Sequence, residues 1–109
     1  VRTDLGMAPG KIASQAGHAY LGAYLATEGS EAARAYAQDL PGTKVCLGAS
    51  LQRLLKTRDA LAEAGVPHFL VVDSGCPDFF EGRPTITALG FGPSLKHEVQ
   101  HITRRLNLL

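Results

Sequence analysis

The sequence predicts an α/β domain, a small mixed sheet of about four strands lying between helical layers. Three observations carry that expectation. Stretches with strand and helix character follow one another in the order strand, helix, helix, strand, helix, strand, strand, helix. Phe69-Leu70-Val71-Val72 is a continuous apolar run of strand length, the pattern of a strand covered on both faces. The chain has 109 residues, 45% apolar and 19% charged, enough for one core and one domain over residues 1–109.

Taken in order, Val1-Arg2-Thr3 reads as the tail of a strand, and the sequence has no initiator methionine, so the first strand is expected to be truncated. Gly6 to Tyr24 is a glycine-proline loop running into an amphipathic helix, with Ile12, Ala16, Ala19, Tyr20 and Ala23 as its core stripe. Ser30 caps a short helix from Glu31 to Asp39, which Leu40-Pro41-Gly42 stops. Lys44 to Leu47 is a strand candidate. Ser50 caps a helix from Leu51 to Ala64, buried through Leu51, Leu54, Leu55, Leu61 and Ala62 and ended by Gly65. After the apolar strand comes a loop, Ser74 to Pro84, then a strand from Thr85 to Phe91. Gly92-Pro93-Ser94 opens a last helix whose inner face is Leu95, Val99, Ile102 and Leu106.

Composition excludes several classes. A net charge of +1 means that any nucleic-acid binding must rest on a local basic patch. No apolar run reaches the roughly 18 to 20 residues of a bilayer span, and no signal-peptide pattern is present. Cys46 and Cys76 lack metal-type spacing, so a reduced, cytoplasmic protein away from membranes is expected.

The chemistry concentrates on the first helix. At 100° per residue, Lys11, Gln15 and His18 fall within an arc of about 60°, with Gly22 continuing the line. A cation in the first turn opposes the helix dipole, which calls for an anion beside Lys11; the glycines at 6 and 10 let backbone N–H groups approach the same anion. Asp73 ends the buried strand, where open α/β sheets place ligand crevices, although a turn-forming aspartate has the same position. His18 is open between an ordinary helix histidine and a member of that site. Cys46 is expected to pack as a small hydrophobe, and Cys76 to be an unreactive loop residue or a reactive thiol.

His97-Glu98-Val99-Gln100-His101 matches H-E-x-x-H, the zinc-binding helix motif. The two histidines point about 150° from the apolar stripe of their helix, and no third ligand follows, so a solvated face is the expected reading.

At these residues the sequence resembles the peptidyl-tRNA hydrolase type 2 family. Members read V-R-x-D-L-x-M-x-x-G-K-x-A-x-Q-x-x-H-A, matched here from Val1 to Ala19; Asp73-Ser74-Gly75 and Thr87 to Pro93 resemble the later D-A-G and T-V-L-G-I-G-P segments. The resemblance covers essentially the whole chain. It implies a three-layer α/β fold, hydrolysis of the ester joining a peptide to the 3′ end of tRNA, a homodimer, and neither metal nor cofactor. It places Lys11, His18 and Asp73 in the active site and Arg2, Asp4, Gln15 and Thr87 around the substrate. Arg2, Lys44, Arg53, Lys56, Arg58, Arg104 and Arg105 are candidate contacts for the tRNA backbone.

One stretch departs from the family, whose D-A-G is followed by arginine and a threonine proposed to act in catalysis. Here Cys76 and Pro77 stand there and the loop is about two residues longer. Ser74, Thr85 or Thr87 would have to supply a hydroxyl. The altered loop, with Phe79 and Phe80, supports an alternative: a relative that binds RNA or protein without catalysis.

Overall fold

The computed structural model describes residues 1–109 as five helices and four strands. Helix α1 spans Pro9–Ala26, α2 Glu31–Gln38, α3 Leu51–Glu63, α4 Pro77–Phe80 and α5 Lys96–Thr103. The strands are β1, Leu47–Gly48; β2, His68–Asp73; β3, Thr85–Phe91; and β4, Asn107–Leu108. β2 pairs antiparallel with β3, and β1 antiparallel with β4. Residues 1–3 lie between the two pairs: Arg2 N donates to Thr87 O at 2.9 Å, and Thr3 N to Ala49 O at 2.9 Å through a parallel bridge. The sheet is therefore mixed, as expected. α1 packs on β2 and β3 from one side, and α3, which also packs on α5, covers them from the other.

The β2–β3 ladder contains the feature that positions the site. Val71 pairs with Ala88 but Val72 pairs with Ile86, so Thr87 is an extra residue on β3. Side chains alternate along a regular strand, and a bulge shifts that alternation by one. Thr87 and Ala88 consequently both turn toward α1, and both are completely buried. On the same face Phe69, Val71 and Asp73 of β2 succeed one another. Ala19, Val71 and Ala88 form the core under α1, with Val1 against it.

Several expectations change. The α1 face on the sheet is Gln15, Ala19, Gly22 and Ala23, so the polar line and the core stripe overlap; Ile12, Ala16 and Tyr20 are only half-buried. The cause is proximity: the α1 backbone passes so close over Gly90 that a Cβ there would sit 2.0 Å from Ala19 O. At that spacing only small residues, or a polar one with bonded partners, fit between helix and sheet. β2 has a helix on each face but is covered incompletely, Phe69 being 43% and Val72 52% exposed on an edge strand with no second neighbour. Strand pairing begins at Leu47, and Lys44, Val45 and Cys46 are irregular. Ala62 is exposed on α3, where Leu54 and Leu61 are buried.

The caps hold as read: Ser30 Oγ accepts Ala33 N at 3.1 Å, and Ser50 Oγ accepts Arg53 N at 3.3 Å. The last helix starts later than expected, with Leu95 exposed at its N-cap and Glu98 Oε1 accepting Leu95 N at 3.3 Å. Strand β4 was not foreseen; two residues carry no periodicity.

Gly90→Ala is expected to destabilise the domain by about 3 kcal/mol or more, because backbone rather than a side-chain end blocks the new methyl. Gly10→Ala meets nothing within 4 Å and should be neutral or stabilising by about 1 kcal/mol. Urea unfolding of the two variants measures the contrast.

Candidate functional site

The site forms where the first turns of α1 cross the C-terminal end of β2. Lys11 Nζ donates to Asp73 Oδ2 at 2.9 Å, the two side chains being 13% and 12% exposed. Gln15 Nε2 donates to the same oxygen at 3.2 Å. The other oxygen, Oδ1, accepts Gly75 N at 2.9 Å and Cys76 N at 3.0 Å. Gly75 has φ +105, and a Cβ there would lie 2.6 Å from the Gly82 carbonyl carbon, so the loop closes this way only with glycine. All four acceptor positions of the carboxylate are thereby occupied.

Behind this pair, Gln15 is 1% exposed, and its Oε1 accepts the hydroxyl of Thr87, the bulge residue. That bond fixes the orientation of the amide, so its N–H group, not its oxygen, faces Asp73. Lys11 also lies over two aromatic rings, with Nζ 4.9 Å from the centre of Phe79 and 5.2 Å from that of Phe80. A ring face attracts a cation at this range. The loop from Ser74 to Pro84 contains the short helix α4, with Pro77 at its first position, which turns both rings onto Lys11. Phe80 is buried and Phe79 half-exposed.

The hydrogen bond from Lys11, followed by those from Cys76 and Gly75, holds the Asp73 carboxyl far below the usual carboxylate range. Asp73 is thus anionic at any physiological pH, saturated with donors, and a poor proton acceptor. Its action is exerted through Lys11, whose ammonium it locates. The anion that the helix dipole requires beside Lys11 is this side chain. Arg2 is engaged as well: it makes two bonds to Asp4, 3.0 and 2.9 Å, and one to Ile86 O, 3.0 Å. Those contacts lower the Asp4 pKa to about 2.

The structure thus gathers Lys11, Gln15, Asp73 and Thr87, and places Arg2 and Asp4 beside them through Thr87 O and Ile86 O. His18 stands apart, exposed one turn along α1 and without a hydrogen-bond partner, at the edge of a groove that also includes Gln15, Asp73 and Ser74. Of the candidate hydroxyls, Thr87 is enclosed, Thr85 donates to Arg83 O at 2.8 Å, and the exposed Ser74 makes no bond. Arg53, Lys56 and Arg58 on α3, with Arg104 and Arg105 after α5, lie in the opposite helical layer; Arg53 donates to Arg105 O at 2.9 Å. Lys44 is bonded to Pro41 O. Cys46 is half-buried near Tyr20, while Cys76 contributes its backbone N–H rather than its thiol. His97 and His101 are exposed on α5, and nowhere in the chain do three His, Cys, Asp or Glu side chains gather as a metal site would need. No helix is long and apolar enough to cross a membrane. The rings over Lys11 were not legible as such; the signal was two aromatics in a glycine- and proline-rich loop beside Asp73.

An ammonium held by a part-buried carboxylate at the carboxyl end of a strand can offer its charge to an anionic or polarised oxygen. Comparison with known proteins makes the class specific. A family model described as peptidyl-tRNA hydrolase PTH2 matches residues 1–109, and the chain belongs to that family. A peptidyl-tRNA hydrolase of Methanothermobacter thermautotrophicus is 40% identical over 111 residues, covering 100% of this chain and 95% of that protein. A peptidyl-tRNA hydrolase of Halobacterium salinarum is 40% identical, covering 98% and 93%. A probable peptidyl-tRNA hydrolase 2 of Dictyostelium discoideum is 37% identical, covering 99% of this chain and 51% of that longer protein.

Asp73 has a lower pKa folded than unfolded, where about 3.9 applies, so its stabilising contribution is complete above that value and declines as pH falls below it. Asp73→Asn is therefore expected to lower the melting temperature at pH 7. The gap to wild type should narrow steadily from about pH 4 downward, as thermal scans at pH 7, 4 and 2.5 would record.

Proposed function

We propose that the chain hydrolyses the ester between the peptide and the tRNA of peptidyl-tRNA, releasing both, with Lys11 as the electrostatic centre. The observation that carries this reading is the Lys11–Asp73 pair with its carboxylate fully bonded. Attack of water on the ester carbon places negative charge on the carbonyl oxygen, and breaking the bond to the ribose places charge on the leaving oxygen. Lys11 has ammonium protons beyond the one given to Asp73 and offers them to such an oxygen. A charge held in place beforehand by Asp73, Phe79 and Phe80 needs no reorganisation when the oxyanion develops.

Asp73 is a positioning residue in this scheme. The proton leaving the attacking water passes to His18, whose ring has no competing hydrogen-bond partner and stands at the mouth of the groove beside Asp73 and Ser74. His18 then returns the proton to the ribose oxygen. Ser74 is the hydroxyl free to orient the water. Binding of the tRNA backbone draws on exposed cations such as Arg83, in the loop that follows Asp73, and gives KM a steep dependence on salt. The same reading makes the enzyme a cytoplasmic homodimer.

Release of N-acetylamino acid from N-acetyl-aminoacyl-tRNA tests the scheme. Folded wild type is expected to hydrolyse it, Lys11→Ala to lose about 10²-fold or more in kcat/KM, and His18→Ala to lose a similar factor. No release by wild type refutes the activity, whereas release that survives both substitutions refutes the site.

A further inference from the structure

Between α1 and β2 runs a groove of about 720 Å³ that the chemistry above uses only at one end. Because α1 and β2 lie antiparallel, its polar residues, Gln15, His18, Asp73 and Ser74, collect at the mouth. Its body is apolar: Leu21, Leu25 and Phe69, which are 60%, 53% and 43% exposed, while Val72, 52% exposed, borders the groove at the open edge of β2 from that strand's other face. The Phe69 ring lies where Gly22 carries no side chain, which flattens the floor. Three exposed or half-exposed large apolar side chains along one groove, with a fourth at the strand edge beside it, are an interaction surface rather than scattered exposure.

The groove also borders a free strand edge. β2 is paired only through β3, and no backbone group of His68 to Val72 has another partner. An unpaired edge flanked by apolar pockets is the arrangement that receives an extended chain by strand addition. No lysine or arginine lines the groove, which disfavours a polyanion along it; Lys11 sits at its Asp73 end against Phe79 and Phe80, in the loop that also carries the exposed Arg83.

We propose that this groove holds the peptide part of the substrate, an apolar, extended segment of about four residues leading away from the ester toward Leu25. The assignment rests on the hydrolase reading above. It divides the substrate by chemistry: the anionic tRNA end approaches from the loop bearing Arg83, and the peptide leaves along β2. The ester between them comes to Lys11 and His18.

Two substrates with the same tRNA and the same residue at the ester test it, N-acetyl-Ala-tRNA and N-acetyl-Val-Val-Val-Ala-tRNA. Wild type is expected to favour the longer by roughly tenfold in kcat/KM, chiefly through KM, as part-burial of one or two aliphatic side chains would give. Leu25→Glu and Val72→Glu, at half-exposed positions outside the catalytic residues, should abolish that preference and leave N-acetyl-Ala-tRNA hydrolysis unchanged. Leu25→Lys should transfer the preference to a chain with three glutamates in place of the valines. Equal rates on both lengths in wild type overturn the proposal, as does a preference that survives both glutamate substitutions. A fall in oligomeric state of the variants by sedimentation also overturns it, because a second copy then occupies the groove. Wild type inactive on both substrates would refute the hydrolase reading itself.

Discussion

The Asp73 carboxylate is held by four donors from two stretches of chain, and the geometry around Lys11 depends on that convergence. Lys11 and Gln15 reach it from α1, one helical turn apart, and Gly75 and Cys76 from the loop that follows β2. Desolvating a carboxylate is costly, and the cost is offset only when its bonding capacity is filled. Saturation at Asp73 therefore fixes the N-terminal turns of α1, the end of β2 and the start of the loop relative to one another. The ammonium carried by α1 is then as well located as the strand itself.

Gln15 extends the same constraint into the core. A buried amide must find partners at both ends, and here one end meets Asp73 and the other the hydroxyl of Thr87. Thr87 can face α1 only because it is the extra residue of a bulge, and its carbonyl is taken up by Arg2 N. The charged site and the irregularity of β3 are consequently one structure, joined through a side chain with almost no exposed surface.

The α/β class, the four longest helices and the β2–β3 pair were legible in the sequence because helical spacing, serine caps and apolar runs report them directly. Helical phase aligned Lys11 and Gln15, together with His18, while the place of Asp73 at a strand end fitted a turn residue equally well and only the family resemblance set it opposite Lys11. The burial of Gln15 and Gly22 was not legible, since it follows from how closely α1 approaches Gly90, a tertiary fact. The exposure of Phe69 and Val72 was equally hidden: an apolar run looks the same in a central strand and in an edge strand beside an open groove. The placement of Phe79 and Phe80 over Lys11 depends on a four-residue helix too short to carry a period. Arg2 and Asp4 were recognised as a motif before the structure showed them bound chiefly to each other.

The extra residue at Thr87 has a bearing on how this domain can vary. Above it, β3 presents Ala88 and Gly90 to the helix; below it, the count restarts, and Thr85 and Thr87 take that face in place of Ile86. The strand is thus two short rulers laid end to end, one graduated for packing and the other for chemistry. Changes in the packing half leave the phase of the chemical half untouched, so core and site can drift separately along a single strand of seven residues.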